Sequence, residues 1–303
     1  GLYHFLNRLG HTVTVISPTN WASWLNWMPD SQKVLDFELS AHAEKVSTAL
    51  QEAEWLFCLD FNIFTRTRNL SPRLYDFKGI RILIDHHQQP DEPSFDYGVS
   101  NTSKSSTSEM VYDFIVQSGQ EDKINQAIAE CLYAGVMADT GSFRFASTGA
   151  SVHRMVASLK DKGLEHAKVH ENIYDNFLEN RLRFIGHVLM NRMEVFYEYN
   201  TALIAISKKD LLGFQVKTGD TEGLVNYPLS IQGIKLAALV IDRDEERKWS
   251  FRSKSGFDTN TFARTYFSGG GHFNASGGRS SESLEQTVEK FKKAMHENAQ
   301  QLQ

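Results

Sequence analysis

Arg81-Ile82-Leu83-Ile84-Asp85-His86-His87 is the stretch on which the fold of this chain turns. A brief aliphatic run that stops at an acid reads as a strand buried on both faces, the kind that parallel sheets use. Two runs of the same texture stand upstream, Thr12 to Ser17 (TVTVIS) and Trp55 to Leu59 (WLFCL). Helical patterns fall at 40–54 and 70–77, so strand and helix alternate and an α/β layer with a parallel sheet is predicted. Residues 1–10 read as the tail of a helix, with Leu2, Phe5, Leu6 and Leu9 on one face and Gly10 as its cap. Downstream, Ser106 and Glu109 have the spacing of a capping box opening a helix over 107–117, a longer helix is predicted over 122–137, and a helical region over 151–190.

Near Met193 the texture becomes β-rich: MEVFYEY, TALIAIS, IKLAALVID and RKWSFRS follow one another, the last two joined as an antiparallel hairpin through residues 243–246. A helix over 180–191 is the expected connector, and an amphipathic helix over 283–302 closes the chain. The predicted organisation is an α/β parallel-sheet domain over 1–185 and a smaller mixed α+β domain over 186–303. A length of 303 residues fits two domains at roughly 150 residues each. The longest uninterrupted apolar stretch, Leu236 to Ile241, is far short of the roughly 18 residues that cross a bilayer, so no membrane partner is expected. Two cysteines, Cys58 and Cys131, without CxxC spacing argue against a disulfide framework and fit a reducing cytoplasm. The formal charge of −5 argues against coating long duplex DNA but leaves room for a short anionic substrate.

Asp60 and Asp85 each follow a predicted strand, which places both at the carboxyl edge of the sheet, where open α/β sheets bind ligands. Asp85, His86 and His87 put a hard oxygen ligand and two imidazoles on one loop, a set suited to a first-row divalent ion. Asp139, in MADTGSF after the predicted long helix, adds a third carboxylate, and Gly141 permits the tight turn that would aim it into the same site. In the second domain Gly269, Gly270, Gly271 and His272 precede Asn274-Ala275-Ser276-Gly277-Gly278. Such a run predicts a loop whose backbone N–H groups cradle an anion, with a helix start beyond it. Arg252 and Lys254 would supply charge-assisted contacts.

Five segments in this order, LFCLDFN, ILIDHH, SSTSEMVYDFI, MADTGSFRF and GGGHFNASGG, resemble the DHH phosphoesterase superfamily with its DHH-associated C-terminal domain, in the branch of the bacterial nano-RNase/pAp phosphatases. The resemblance covers nearly the whole chain. It implies that Asp60 bridges two manganese ions and that His86 and Asp139 complete the coordination of one of them. It implies further that His87 faces the scissile phosphate, that Asp85 orients the histidine pair, and that Arg252, Gly269, Gly270, Gly271 and His272 hold the phosphate or nucleotide end of the substrate. The remaining ligands are expected from the family's first motif, a strand followed by His-x-x-Pro-Asp-x-Asp, upstream of Gly1. Manganese-dependent hydrolysis of short RNA and of 3′-phosphoadenosine 5′-phosphate (pAp) follows from the resemblance, as does room for a homodimer. Cyclic-dinucleotide phosphodiesterase, RecJ-like exonuclease and polyphosphate hydrolase stay open within the superfamily. A catalytically silent nucleotide-binding module is the alternative of another class.

Other features read as structural. His166 and His170, at helical i, i+4 spacing, are expected on an exposed face, and Trp21, Trp24 and Trp27 in a core or subunit contact. Cys131 reads as a packed thiol, and the charged run 242–248 as a solvated hairpin tip.

Overall fold

In the computed structural model, which describes residues 1–243, 246–254 and 256–303, the chain opens with helix α1 (Leu2–Arg8), whose Leu2 and Phe5 are buried. The strand expected over 12–17 is cut down to β1 (Ile16–Ser17), which pairs in parallel with an unforeseen β2 (Leu35–Asp36) as a sheet of its own rather than joining the central one. β-Branched residues suit a strand, but a strand extends only as far as a neighbour supplies hydrogen bonds, and here pairing begins where the Val15 carbonyl accepts from the Leu35 N–H at 2.9 Å.

Helix α2 (Ala43–Glu52), β3 (Trp55–Leu59), α3 (Ser71–Tyr75) and β4 (Ile80–Asp85) follow as the alternation predicts. The third strand of this sheet, β5 (Tyr97–Ser100), was not legible in the sequence; the order is β3-β4-β5, all parallel. β5 runs along an edge with Tyr97 and Val99 exposed, and Gly98 sits at φ +145°, where any side chain would meet the Leu83 backbone. Helices α4 (Thr107–Gln117), α5 (Gln126–Asp139), α6 (Ala150–Asp161) and α7 (His166–Tyr174) complete the first unit. Its core gathers Phe5, Ile84, Met110 and Ile115 around the apolar length of α5 from Ile128 to Met137. α5 starts at Gln126 and not at 122, because Asn125 caps it, its side chain accepting from the Ile128 N–H.

The two compact units are Gly1–Asn176 and Phe177–Gln303, so the division falls before α8 (Glu179–Asn191) and not at 185/186. The reason is packing: Phe184, Ile185 and Val188 of α8 are buried together with Ile204, Ile206, Leu239 and Ile241. The second unit then runs β6 (Met193–Phe196), β7 (Thr201–Ile206), α9 (Lys208–Gly213), β8 (Leu236–Asp242), β9 (Arg247–Ser253), α10 (Thr259–Tyr266), β10 (Gly270–His272), β11 (Ala275–Ser280), α11 (Leu284–Glu297) and α12 (Ala299–Leu302). Its mixed sheet has the order β10-β11-β9-β8-β7-β6, with β7 and β8 parallel and the other pairs antiparallel. β8 and β9 are the partners of the expected hairpin; residues 244 and 245 at its tip, with that part of the charged run, lie outside the described residues. Among the described residues no helix is long and apolar enough to cross a membrane.

One side of this sheet packs on α10 and α11 through an aromatic cluster in which Trp249 meets Phe251 and Phe291, each stacked at 5.4 Å, and those two rings are 6.4 Å from each other. The indole N–H donates to Thr287 Oγ1 at 3.0 Å, and both residues are fully buried. Thr287→Val keeps the shape and removes the acceptor, so it is expected to destabilise the protein by about 1–3 kcal/mol, the cost of stranding a buried donor. A lowered urea midpoint with an unchanged slope is the expected reading.

Candidate functional site

Because β3 and β4 are paired in register, Leu59 opposite Ile84, the residues that follow them emerge side by side. The Asp60 N–H donates to the Ile84 carbonyl at 3.2 Å, which sets Asp60 beside the Asp85-His86-His87 corner. Asp60 is held at φ +66°, a left-handed conformation uncommon for a residue with a side chain and a reason to look for function. Asn62, buried, ties the two loops together by donating to the Gln88 carbonyl at 2.5 Å and the Gln89 carbonyl at 3.2 Å.

Asp139 reaches the same place from another direction. It is the last residue of α5, not a loop residue after the helix, because α5 continues two residues beyond the expected end. The chain then turns through Gly141 at φ +56°. His86 Nε2 lies 3.4 Å from Asp60 Oδ1 and 3.7 Å from Asp139 Oδ2. Thr107 Oγ1, at the start of α4, donates to Asp60 Oδ1 at 3.0 Å. His86 Nδ1 donates to the Lys104 carbonyl at 3.3 Å, which leaves Nε2 facing the two carboxylates.

The charges in this group are out of balance. Burial, and then the charge of Asp60, push the Asp139 carboxyl up to about 7 against the opposing pull of His86. Burial acts to raise Asp60 as well, but the hydrogen bond from His86 and the charges of both histidines hold it below the usual carboxylate range. Burial acts to lower His86, and the Asp60 hydrogen bond with the charges of Asp139 and Asp60 outweighs it, so His86 is raised. A cluster that retains protons in this way is short of positive charge, and a cation would relieve it. One ligand atom from each of Asp60, His86 and Asp139 lies within 4.8 Å of the others, and carboxylate oxygens with an imidazole nitrogen suit a first-row divalent ion. The residues fit the group that the sequence implied. Asp60, Asp85 and His87 form a second group within the same distance.

Asp85 is wholly buried and acts on His87: its Oδ2 accepts from the His87 N–H at 2.8 Å and its Oδ1 from His87 Nδ1 at 2.8 Å. With Nδ1 donating, His87 Nε2 is an acceptor, and Arg66 donates to it at 3.1 Å. Arg66 is exposed, in the 3-10 segment Phe64–Leu70. Sequence reading passed over it, and FTRTRNL, a cationic run just after a strand-end acid, was the signal available.

In the second unit the glycine run is not a loop in front of a helix. Gly270–His272 is strand β10, paired with β11, and the helix close to it, α10, precedes it in sequence. The Gly271 N–H is engaged with Asn260 Oδ1 at 2.9 Å, so it does not point at an open anion site. Arg252 and His272 lie opposite the same residue, Ala275, on the two strands that flank β11. Arg252 is half-buried, and burial lowers its pKa. Arg264 of α10, exposed, donates to Asn260 Oδ1 at 3.2 Å beside Gly270; this second cation was also missed.

The remaining candidates settle into structure. His170 is half-buried and pairs with the Tyr133 hydroxyl at 2.9 Å, so it packs on α5 and does not share an exposed face with His166. Trp24 and Trp27 pack against the first core. Cys131 is partly buried, and Cys58 is buried with its thiol pushed up to about 12 by burial.

Comparison with known proteins brings these observations together. Residues 1–136 match the DHH family, N-terminal domain, and residues 199–301 match the DHHA1 domain. A bifunctional oligoribonuclease and PAP phosphatase from Bacillus subtilis is 33% identical over 196 residues, covering 64% of this chain and 60% of that protein. A protein of the same description from Thermus thermophilus is 30% identical over 222 residues, covering 73% of this chain and 65% of that protein. The chain thus spans less than two thirds of the length of these relatives. The crystal structure of an exopolyphosphatase-related protein from Bacteroides fragilis superposes with a TM-score of 0.93 at 36% identity, covering 99% of this chain and 87% of that one. With both domains present in order, the chain belongs to the DHH family, in the branch that joins a DHHA1 domain to the DHH domain and includes the bifunctional oligoribonuclease and PAP phosphatases.

Proposed function

We propose that the protein is a manganese-dependent phosphoesterase that hydrolyses short oligoribonucleotides and removes the 3′-phosphate of pAp. The observation that carries this reading is the Asp60, His86 and Asp139 group, two carboxylates and an imidazole gathered at the end of a parallel sheet. The names of the Bacillus subtilis and Thermus thermophilus relatives support the substrate class. A cytoplasmic setting belongs to the same proposal.

A divalent ion held by these three side chains would neutralise charge on the phosphoryl oxygens of the substrate. The chain's own groups do the rest. His87, its Nδ1 proton held on Asp85, accepts through Nε2 from Arg66, whose guanidinium would offer a phosphate oxygen a cation. Arg252, Gly270 and His272 are proposed to hold the phosphate or nucleotide end, with Arg264 added to them on the strength of its place beside Gly270. A second reading, hydrolysis of polyphosphate, is favoured by the description of the Bacteroides fragilis structure. Parallel turnover assays with pAp, di- to pentaribonucleotides and polyphosphate separate the two.

Metal binding comes first among the expectations. Protons compete for Asp139, pushed up to about 7, and for the raised His86, so Mn²⁺ affinity should rise between pH 6 and pH 8. Calorimetric titration at the two pH values measures this, and an affinity independent of pH would remove Asp139 and His86 from the ligand set. Activity should vanish with a chelator and return with Mn²⁺.

Asp60→Ala should cost more activity than Asp139→Ala, because Asp60 touches His86 and Thr107 and belongs to both ligand groups. Each loss should exceed the 10–100-fold expected for an outer partner of a metal site. Small, equal losses in folded variants would mark both aspartates as structural.

The second unit is tested at Gly270, where the nearest atoms to an added Cβ belong to the Asn260 and Arg264 side chains, at 3.3–3.6 Å. Gly270→Ala should therefore fold, raise KM for pAp several-fold and leave Mn²⁺ affinity unchanged. An unchanged KM would take this strand out of substrate binding.

A further inference from the structure

Glu109 is 2% exposed, yet its carboxylate accepts four hydrogen bonds. Oε2 accepts from the Ser105 N–H and from Ser105 Oγ, both at 2.8 Å; Oε1 accepts from Ser151 Oγ at 2.7 Å and from Lys104 Nζ at 3.2 Å. The capping box expected from Ser106 and Glu109 is met only on one side: Ser106 Oγ accepts from the Glu109 N–H at 3.0 Å, while the carboxylate is turned to residues 104, 105 and 151. A cap needs none of those contacts. What they fix is the backbone that leads into α4, and two candidate metal ligands rest on it. The Lys104 carbonyl receives His86 Nδ1, and Thr107 Oγ1 reaches Asp60. A second ion pair, Lys104 Nζ to Asp113 Oδ2 at 2.6 Å, holds the same lysine from the far side.

We infer that Glu109 is a positioning residue for the metal centre: by pinning Lys104 and Ser105 it keeps the Lys104 carbonyl where it holds the proton on His86 Nδ1, so that Nε2 is presented to the ion. This rests on the reading of Asp60, His86 and Asp139 as metal ligands. A histidine freed from its carbonyl partner samples both tautomers and several ring orientations, and the ion must then supply the ordering. Glutamine fills the same volume but offers one acceptor where two are needed, and its amide hydrogens face donors on one side or the other.

The test uses the whole chain, with Mn²⁺ titrated into wild type, Glu109→Gln and Ser151→Ala and free Mn²⁺ read by electron paramagnetic resonance. Imidazole nitrogen shifts of the metal-free proteins are recorded by NMR at a pH high enough to leave His86 neutral. Glu109→Gln is expected to bind Mn²⁺ about 10–100-fold more weakly, to move the His86 nitrogens away from the Nδ1-protonated pattern, and to recover turnover at high Mn²⁺. Ser151→Ala, which leaves both Ser105 bonds in place, should stay within about threefold of wild type, less than one hydrogen bond is ordinarily worth. If Glu109→Gln does not fold, Ser105→Ala carries the test, with an expected loss of about fivefold in Mn²⁺ affinity. A folded Glu109→Gln, or failing that Ser105→Ala, with wild-type affinity and an unchanged His86 pattern overturns the role of Glu109 alone. A wild-type protein that takes up no Mn²⁺ overturns the metal reading beneath it.

Discussion

The register between β3 and β4 is the constraint on which the rest of the site depends. Two parallel strands ending together, Leu59 opposite Ile84, deliver Asp60 and the Asp85-His86-His87 corner to one place with no long loop to order. Parallel pairing forces the connection to cross over through α3, and the strand interiors, Cys58 with Leu83 and Ile84, are buried so that the ends can be polar. Apolar packing in this way supports groups that are costly to bring together. The charge of Asp60 opposes that of Asp139, against the pull of His86, and the burial of Ile84 with Ile128, Leu132 and Met137 helps hold α5, and hence Asp139, against that opposition.

That opposition leaves a trace in the backbone and in the protons. Asp60 takes a left-handed conformation that an unconstrained aspartate would seldom choose, and Asp139 holds its proton up to about 7. Neither feature serves stability. Both are what a site looks like when its geometry is set for a charge that the side chains do not themselves supply.

Much of this was legible in the sequence because it depends on short-range pattern. WLFCL and RILI carry the texture of buried strands, and the acids that end them mark the sheet edge. The helix over 107–117, expected from the Ser106 and Glu109 spacing, and the amphipathic helix over 283–302, here α11 and α12, are found close to where the sequence put them. What was not legible depends on partners distant in the chain. TVTVIS has the composition of a long strand and forms two residues of one, while YGVS, with a glycine and two exposed side chains, forms the edge strand of the sheet. The glycines before His272 read as a loop because glycine hides strand character; their pairing with 275–277 is what makes them a hairpin. Thr107 reaching Asp60, and Arg66 reaching His87, cross 47 and 21 residues, and no spacing rule anticipates either.

The two adjacent histidines show how far neighbouring residues of one type can be driven apart. Both donate through Nδ1, but His86 donates to a backbone carbonyl and His87 to a wholly buried carboxylate. Both therefore present Nε2, and the surroundings of that atom differ in sign. His86 Nε2 looks at the carboxylates of Asp60 and Asp139; His87 Nε2 looks at the Arg66 guanidinium. A dipeptide at the end of one strand thus presents one ring to carboxylates and the next to a guanidinium. The two rings stand edge to face with their centroids 5.0 Å apart, so the contrast comes from what each Nε2 meets and not from distance between the rings.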